Sequence, residues 1–273
     1  MKTLDFVKMQ ALGNDFIILD ARNKALDVNQ DLIQRLTHRR FGIGGDMVIV
    51  LKSSDKADLF MQIYNADGSE VEACGNATRC VADIAMKTAQ RDQATIETLA
   101  GILECSRFDE KTVTVDMGEA KTGWQQIPLA YDRDTLNLRI DAGPFSNPVG
   151  VNMGNPHAVF FTSDVDKQRI DAYGPVLETH PLFPERANIE FAEVLDRTNV
   201  RMRVWERGVG ITMACGSGAC ATAVAAIRRG LTDRKVTVMM DGGPLDIEWR
   251  ESDKHVLMTG DYHYVFEGQY NVC

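Results

Sequence analysis

The strongest constraint on the fold of this chain is a phrase it contains twice. Residues 73–80 read ACGNATRC and residues 214–221 read ACGSGACA, each opening a run with helical spacing. In each copy a second cysteine follows the first within one or two turns. Cys74 and Cys215 lie 141 positions apart (215 − 74), close to half of 273. Two similar halves are expected, each placing one thiol at a helix N-terminus. Two such thiols could face each other across a cleft.

The flanking segments support a repeated plan. In the first half, Phe6–Met9 and Asp15–Leu19 read as strands around the turn Leu12-Gly13-Asn14. Leu32, Ile33 and Leu36 give Asp31–Arg40 a helical spacing, ended by the glycine-rich segment 42–45. Met47–Leu51 and Leu59–Asn65 are further strands, the second running into the turn Asn65-Ala66-Asp67-Gly68. The first Cys-Gly helix should bury Ala77, Val81, Ile84 and Ala85 on one face. Short alternating segments fill 95–117, and 118–148 is rich in turn residues. In the second half, a helix is expected near Val165–Glu178, with strands at Asn188–Leu195 and Val200–Glu206. The second Cys-Gly helix is apolar almost all round, which implies burial. It ends in Arg228-Arg229-Gly230, cations and a stop signal suited to a helix C-terminus.

These elements imply an α+β fold of two pseudo-symmetric domains. Each domain is a mostly antiparallel sheet or barrel wrapped around a central helix, with the active site in the cleft between them. The domains are expected at 1–117 and 118–260, with the final stretch, 261–273, returning to the first.

Charge and cysteine usage narrow the function classes. A formal net charge of −9 argues against nucleic acid or an anionic membrane as partner, both of which call for a basic face. The N-terminal segment MKTLDFVKMQ breaks its apolar pattern with charges and lacks the apolar core of a signal peptide. No run approaches the ~18 apolar residues of a membrane span. A cytoplasmic location is therefore expected, where thiols stay reduced. The six cysteines show neither a CxxC pair nor a Cys/His metal spacing, so no metal is expected. Cys80, Cys105 and Cys220 read as small buried apolar residues.

Cys74 and Cys215 carry a different expectation. A helix N-terminus presents unpaired N–H groups and about half a positive charge, which favours a thiolate. The same N–H groups can hold a carboxylate. One element thus supplies a base and an anion clamp, and two such elements supply a base, an acid and a shared clamp.

The segments NADGSEVEACGNATRC (65–80) and ERGVGITMACGSGACATA (206–223) resemble the two active-site signatures of the diaminopimelate epimerase family. LGNDF (12–16), GIGGD (42–46), GNPH (154–157) and the Asn188-Ile-Glu-Phe stretch resemble it too, in the same order, so the resemblance covers essentially the whole chain. It implies a cofactor-independent isomerase, without pyridoxal phosphate, that interconverts LL- and meso-diaminopimelate in lysine and peptidoglycan precursor synthesis. It implies a homodimer as well. By resemblance Cys74 and Cys215 are the two bases, with His157 and Glu206 as polar neighbours that set their protonation and orientation. Backbone N–H groups around Gly75, Asn76, Gly216 and Ser217 would clamp the reacting carboxylate. Asn14, Asn65, Asn155, Asn188 and Arg207 match positions that read the substrate's distal amino-acid group. Two departures stand out. Met47 occupies a substrate-binding position where the family commonly has Gln, and Ala73 precedes the first cysteine without a polar side chain to assist His157. Two alternatives share the fold: a two-cysteine racemase for another amino acid, and a PhzF-type isomerase. Retention of both cysteines and of the distal polar set favours the epimerase.

Overall fold

A computed structural model describes residues 2–272, so Cys273 lies outside the described residues. The chain folds into two compact units. Residues up to Val115 together with those from Gly260 onward form one, and Asp116–Thr259 form the other.

The first unit opens with a hairpin, β1 (Lys2–Ala11) and β2 (Asn14–Asp20), in which Ala11 pairs with Asn14. Leu12 and Gly13 make the turn with φ of +54° and +82°, the mirror-image geometry that matches strand twist. Asn29 caps α1 (Gln30–Thr37) by accepting the Leu32 N–H. This helix is shorter than its periodicity suggests. His38 leaves helical geometry at ψ 114°, and the N–H groups of Gly42, Ile43, Gly44 and Gly45 fold back onto carbonyls of Leu36, Thr37 and His38. Then come β3 (Met47–Lys52), β4 (Leu59–Asn65) and the short β5 (Glu70–Val71). Val48 and Val50 pack with Leu32, Ile33 and Leu36 of α1, while Ile49 and Leu51 are buried on the opposite face. A strand covered on both faces has to be apolar throughout, hence Val48-Ile49-Val50-Leu51.

The first Cys-Gly helix is α2 (Gly75–Ala89), packed on β1, β4, β6 (Gln93–Thr98) and β7 (Gly101–Arg107). Ala77, Val81 and Ala85 are buried as expected, whereas Ile84 is only partly covered. Strand β8 (Thr112–Glu119) runs across the boundary at Val115.

The second unit begins with a small hairpin, β9 (Asp141–Ala142) and β10 (Phe145–Ser146), inside the turn-rich stretch. It continues through β11 (Val149–Asn152) and β12 (Pro156–Phe161). The single helix expected at 165–178 is two pieces, a 3-10 turn at Val165–Lys167 and α3 (Ile170–Glu178). Gln168 between them is extended (ψ 141°), which breaks the helical path. Next come β13 (Asn188–Val194), β14 (Asn199–Glu206) and the short β15 (Gly210–Thr212). The second Cys-Gly helix, α4 (Gly216–Arg228), packs against β11–β14, β16 (Lys235–Met240) and β17 (Gly243–Trp249). Ala219 to Ala226 are all buried, Arg229 is the C-cap and Gly230 turns away at φ +69°. After β18 (His255–Asp261), β19 (His263–Val272) returns to the first unit and pairs antiparallel with β1.

The strand pairings repeat element for element. In the first unit β1/β2 is antiparallel, β2/β3 parallel, β3/β4 antiparallel, β4/β6 parallel and β6/β7 antiparallel. In the second, β11/β12, β12/β13, β13/β14, β14/β16 and β16/β17 follow the same sequence of senses. The fold is therefore an α+β repeat, each half a mostly antiparallel sheet curled over one buried helix. Register makes the equivalence exact to the residue. Phe16 pairs with Met47, which pairs with Asn65; His157 pairs with Asn188, and Ile189 pairs with Trp205, next to Glu206. Asn14 thus corresponds to Asn155, Met47 to Asn188, Ile49 to Glu190, and Asn65 to Glu206.

Candidate active site

The first cysteine caps its helix in extended geometry (φ −148°, ψ 107°). Its carbonyl accepts both the N–H and the hydroxyl of Thr78, each at 2.9 Å. With that first intrahelical bond at Thr78, the N–H groups of Gly75, Asn76 and Ala77 have no partner within the helix. The Cys74 thiol lies 3.8 Å from Asn14 Oδ1, to which it donates. Asn14 is itself held, since its Nδ2 donates to Asp46 Oδ2 at 3.0 Å. Behind it, Asp15 binds Lys8 Nζ at 2.6 Å, and Arg39 bridges Asp15 and Asp46 at 2.8 and 2.7 Å. Burial pushes the Asp15 carboxyl up, but the bonds from Arg39 and Lys8 outweigh it and hold the group well below the usual carboxylate range. Asn65 Nδ2 donates to Ser69 Oγ across the following turn at 3.0 Å, and the buried Asn76 accepts from Arg79 Nη2 at 3.0 Å. Met47 is half-buried, between Phe16 and Asn65 in the sheet.

The second cysteine caps α4 with its own sulfur. Gly218 N–H donates to Cys215 Sγ at 3.4 Å, and Ser217 Oγ lies 3.5 Å away. The N–H groups of Gly216 and Ser217 remain without a partner within the helix. Cys215 is buried, and its surroundings are acidic. Glu206, half-buried at the end of β14, accepts from the Thr212 hydroxyl and acts electrostatically on the Cys215 thiol. Burial first, then the Glu206 and Glu190 carboxylates, push the Cys215 thiol well above its usual range. Burial likewise raises the Glu206 carboxyl, and Glu190 adds to this.

His157 is fully buried on β12, its Nδ1 2.6 Å from Glu190 Oε1 and its Nε2 2.7 Å from Asn155 Oδ1. The Asn188 amide is spent on backbone: Nδ2 donates to Pro156 C=O at 3.2 Å, and Oδ1 accepts the Arg207 N–H at 2.9 Å. The Arg207 guanidinium is exposed and donates to Glu185 C=O at 3.1 Å.

Two clusters result. Cys74, Asn14, Met47 and Asn65 gather at matching ends of β2, β3 and β4 below the α2 N-terminus. Cys215, Glu206, Asn155, His157 and Asn188 do the same below α4. Sequence reasoning passed over Glu190, Asp15 and Asp46, although each lies inside a recognised segment. For Glu190 a signal existed, since a carboxylate within the otherwise buried β13 has to serve a partner.

The sequence profile of a family described as diaminopimelate epimerase matches the chain twice, over residues 6–123 and 149–265. The chain belongs to the diaminopimelate epimerase family. It is similar to the diaminopimelate epimerase of Rhodospirillum centenum, with 51% identity over 266 residues, 97% of this chain and 91% of that protein. Identity to the enzyme of the same name from Acidiphilium cryptum is 50% over 264 residues, 97% and 95% of the two chains. Among solved structures, a PhzF-family phenazine biosynthesis protein of Bacillus anthracis superposes with a TM-score of 0.72 at 17% identity, covering all of both chains. A probable proline racemase from Agrobacterium radiobacter K84 gives 0.68 at 14% identity, covering 99% of this chain and 93% of that one. At such identities the likeness is one of fold, a fold shared between the epimerase family and these proteins. Among the described residues no helix is long and apolar enough to cross a membrane.

Proposed function

We propose that this protein interconverts LL- and meso-diaminopimelate with two cysteines and no cofactor, in lysine and peptidoglycan precursor synthesis. The observation that carries the reading is the pair of cysteine N-caps, Cys74 and Cys215, at equivalent points of one repeated frame. In the reaction a thiolate takes the α-proton, so that a C–H bond breaks and an S–H bond forms. The electron pair passes into the α-carbon and its carboxylate. The second thiol then delivers its proton to the opposite face, its S–H bond breaking as the new C–H bond forms. The two sulfurs end with exchanged protonation states. The reading requires both thiols to meet one α-carbon from opposite sides.

The carboxylate that gathers negative charge would sit on the N–H groups of Gly75, Asn76, Gly216 and Ser217, with two helix dipoles favouring it. Cys215, kept protonated by burial and by its acidic neighbours, suits the proton-donating role in the ligand-free enzyme. Glu206 would help to hold that thiol protonated, and His157 would orient the polar wall. Asn14, Asn65, Asn155, Asn188, Arg207 and Met47 would read the distal amino-acid group; Arg207 can grip a carboxylate with two parallel bonds once it leaves Glu185. The working form would be a homodimer, which the exposed Tyr264, Val265 and Phe266 of β19 support. Thiols that must stay reduced suit the cytoplasm.

The test is incubation of purified protein with LL-diaminopimelate in D2O, without pyridoxal phosphate or metal. Deuterium at the α-carbon together with meso product is expected. No exchange, or equally fast exchange with lysine or glutamate, overturns the substrate assignment.

A further inference from the structure

Glu190 has no counterpart in the first unit. The equivalent register position there is Ile49, fully buried and apolar, so the fold itself asks for no carboxylate at this point of the sheet. The carboxyl group is nevertheless buried completely, and its Oε2 has no hydrogen-bond partner among the described residues. A buried, half-satisfied carboxylate is a cost to stability. Its other oxygen, Oε1, is 2.6 Å from His157 Nδ1. Space has been left for it too: a Cβ on Gly218 would lie 2.9 Å from Oε1, so glycine in the first turn of α4 admits the group.

The far side of the histidine completes the arrangement. His157 Nε2 is 2.7 Å from Asn155 Oδ1, so both ring nitrogens face acceptor oxygens. A ring carrying a proton on each nitrogen can donate to both. Donation into Asn155 Oδ1 fixes the amide, and the Asn155 NH2 group makes no hydrogen bond among the described residues.

We propose that Glu190 is a positioning residue that fixes His157 as a two-sided donor and thereby turns the Asn155 NH2 group toward bound ligand. The inference rests on the epimerase reading only for the identity of that ligand. The order of action runs from β13 through β12 to the loop before it: Glu190 accepts the Nδ1 proton, His157 donates through Nε2, and Asn155 presents two N–H donors suited to a carboxylate. His157 on this account is a fixed donor and does not exchange protons with substrate. The titratable groups around the pair are Glu206 and the Cys215 thiol, both of which act electrostatically with Glu190. Burial raises the Glu190 carboxyl while His157 opposes the rise.

The test needs no substrate in its first arm. With 15N-labelled histidine, the five His residues give separable ring signals. At neutral pH His157 should show protons on both ring nitrogens, whereas in Glu190→Gln the ring should carry one. A singly protonated His157 in the unmutated protein, or an unchanged signature in the variant, overturns the proposal. In the second arm, Glu190→Gln should raise KM for LL-diaminopimelate about tenfold, the size of one lost hydrogen bond, with a smaller change in kcat. A loss confined to kcat, or to the amount of folded protein, would assign Glu190 a purely structural role and also overturn it. If the unmutated protein does not act on diaminopimelate, the epimerase reading fails while the NMR arm still decides this one.

Discussion

The two cysteine-capped helices share a backbone plan and differ in almost every polar neighbour. Around Cys74 the sheet offers Phe16, Ile49 and Asn65; at the equivalent positions around Cys215 it offers His157, Glu190 and Glu206. The first thiol leans on a neutral amide, Asn14, which a remote ion network holds in place. The second is enclosed by carboxylates. The repeat therefore supplies two equivalent sulfur positions, and the side chains place one of them, Cys215, in a buried acidic setting that pushes its thiol well up. The proposed mechanism needs one sulfur charged while the other is not, and the carboxylates beside Cys215 favour its uncharged form.

The largest expected effect breaks the comparison outright. Cys74→Ala or Cys215→Ala should lower epimerisation by about 10³-fold or more, measured as α-deuterium incorporation, because each face loses its only acid–base group. Near-normal turnover in either variant would show that one thiol suffices. The next effect sharpens the contrast. Iodoacetamide at pH 7.5, followed by peptide mass mapping, should label Cys74 well before the buried Cys215. Glu206→Gln removes a negative charge beside Cys215, so more thiolate should form there. Its alkylation should quicken as epimerisation falls by about 10²-fold. Equal labelling of the two thiols would remove the asymmetry.

The smallest effect concerns the network behind Asn14. Asp15→Asn should destabilise the protein by on the order of 2 kcal/mol in denaturant titration, allowing for solvent screening of a partly exposed group. The Asp15 carboxyl is held below its ordinary value, so its contribution is complete above about pH 4 and disappears as pH falls through the depressed range. The gap between Asp15→Asn and unmutated protein should narrow on acidification. A constant gap would mean that the ion network stabilises nothing.

Much of this was legible in the sequence, for identifiable reasons. The repeated Cys-Gly phrase reports on local geometry, a cysteine before a helix, and local geometry follows from adjacent residues. The strands carrying Met47, Asn65, Asn188 and Glu206 were visible because apolar runs and alternation are local, whereas Asn14 read as part of a turn and β12, which follows Asn155, was not read as a strand. What stayed hidden is pairing across distance. His157 and Glu190 are 33 positions apart, and nothing near either one announces the other. The break between the 3-10 turn and α3 was hidden as well, because apolar spacing continues through Gln168 while the backbone does not. Hidden too was what Asn188 does with its amide, which holds the backbone of Pro156 and Arg207.

The return of β19 sets the timetable on which the protein can be made. Lys8 pairs with Phe266, so one edge of β1 stays bare until β19 has been synthesised. Loop closure over some 260 residues is slow relative to local pairing. The second unit lies wholly between these strands in the chain and can fold before the first is complete. A nascent chain thus carries a finished half and a waiting half, with an open edge that another copy of β19 could fill.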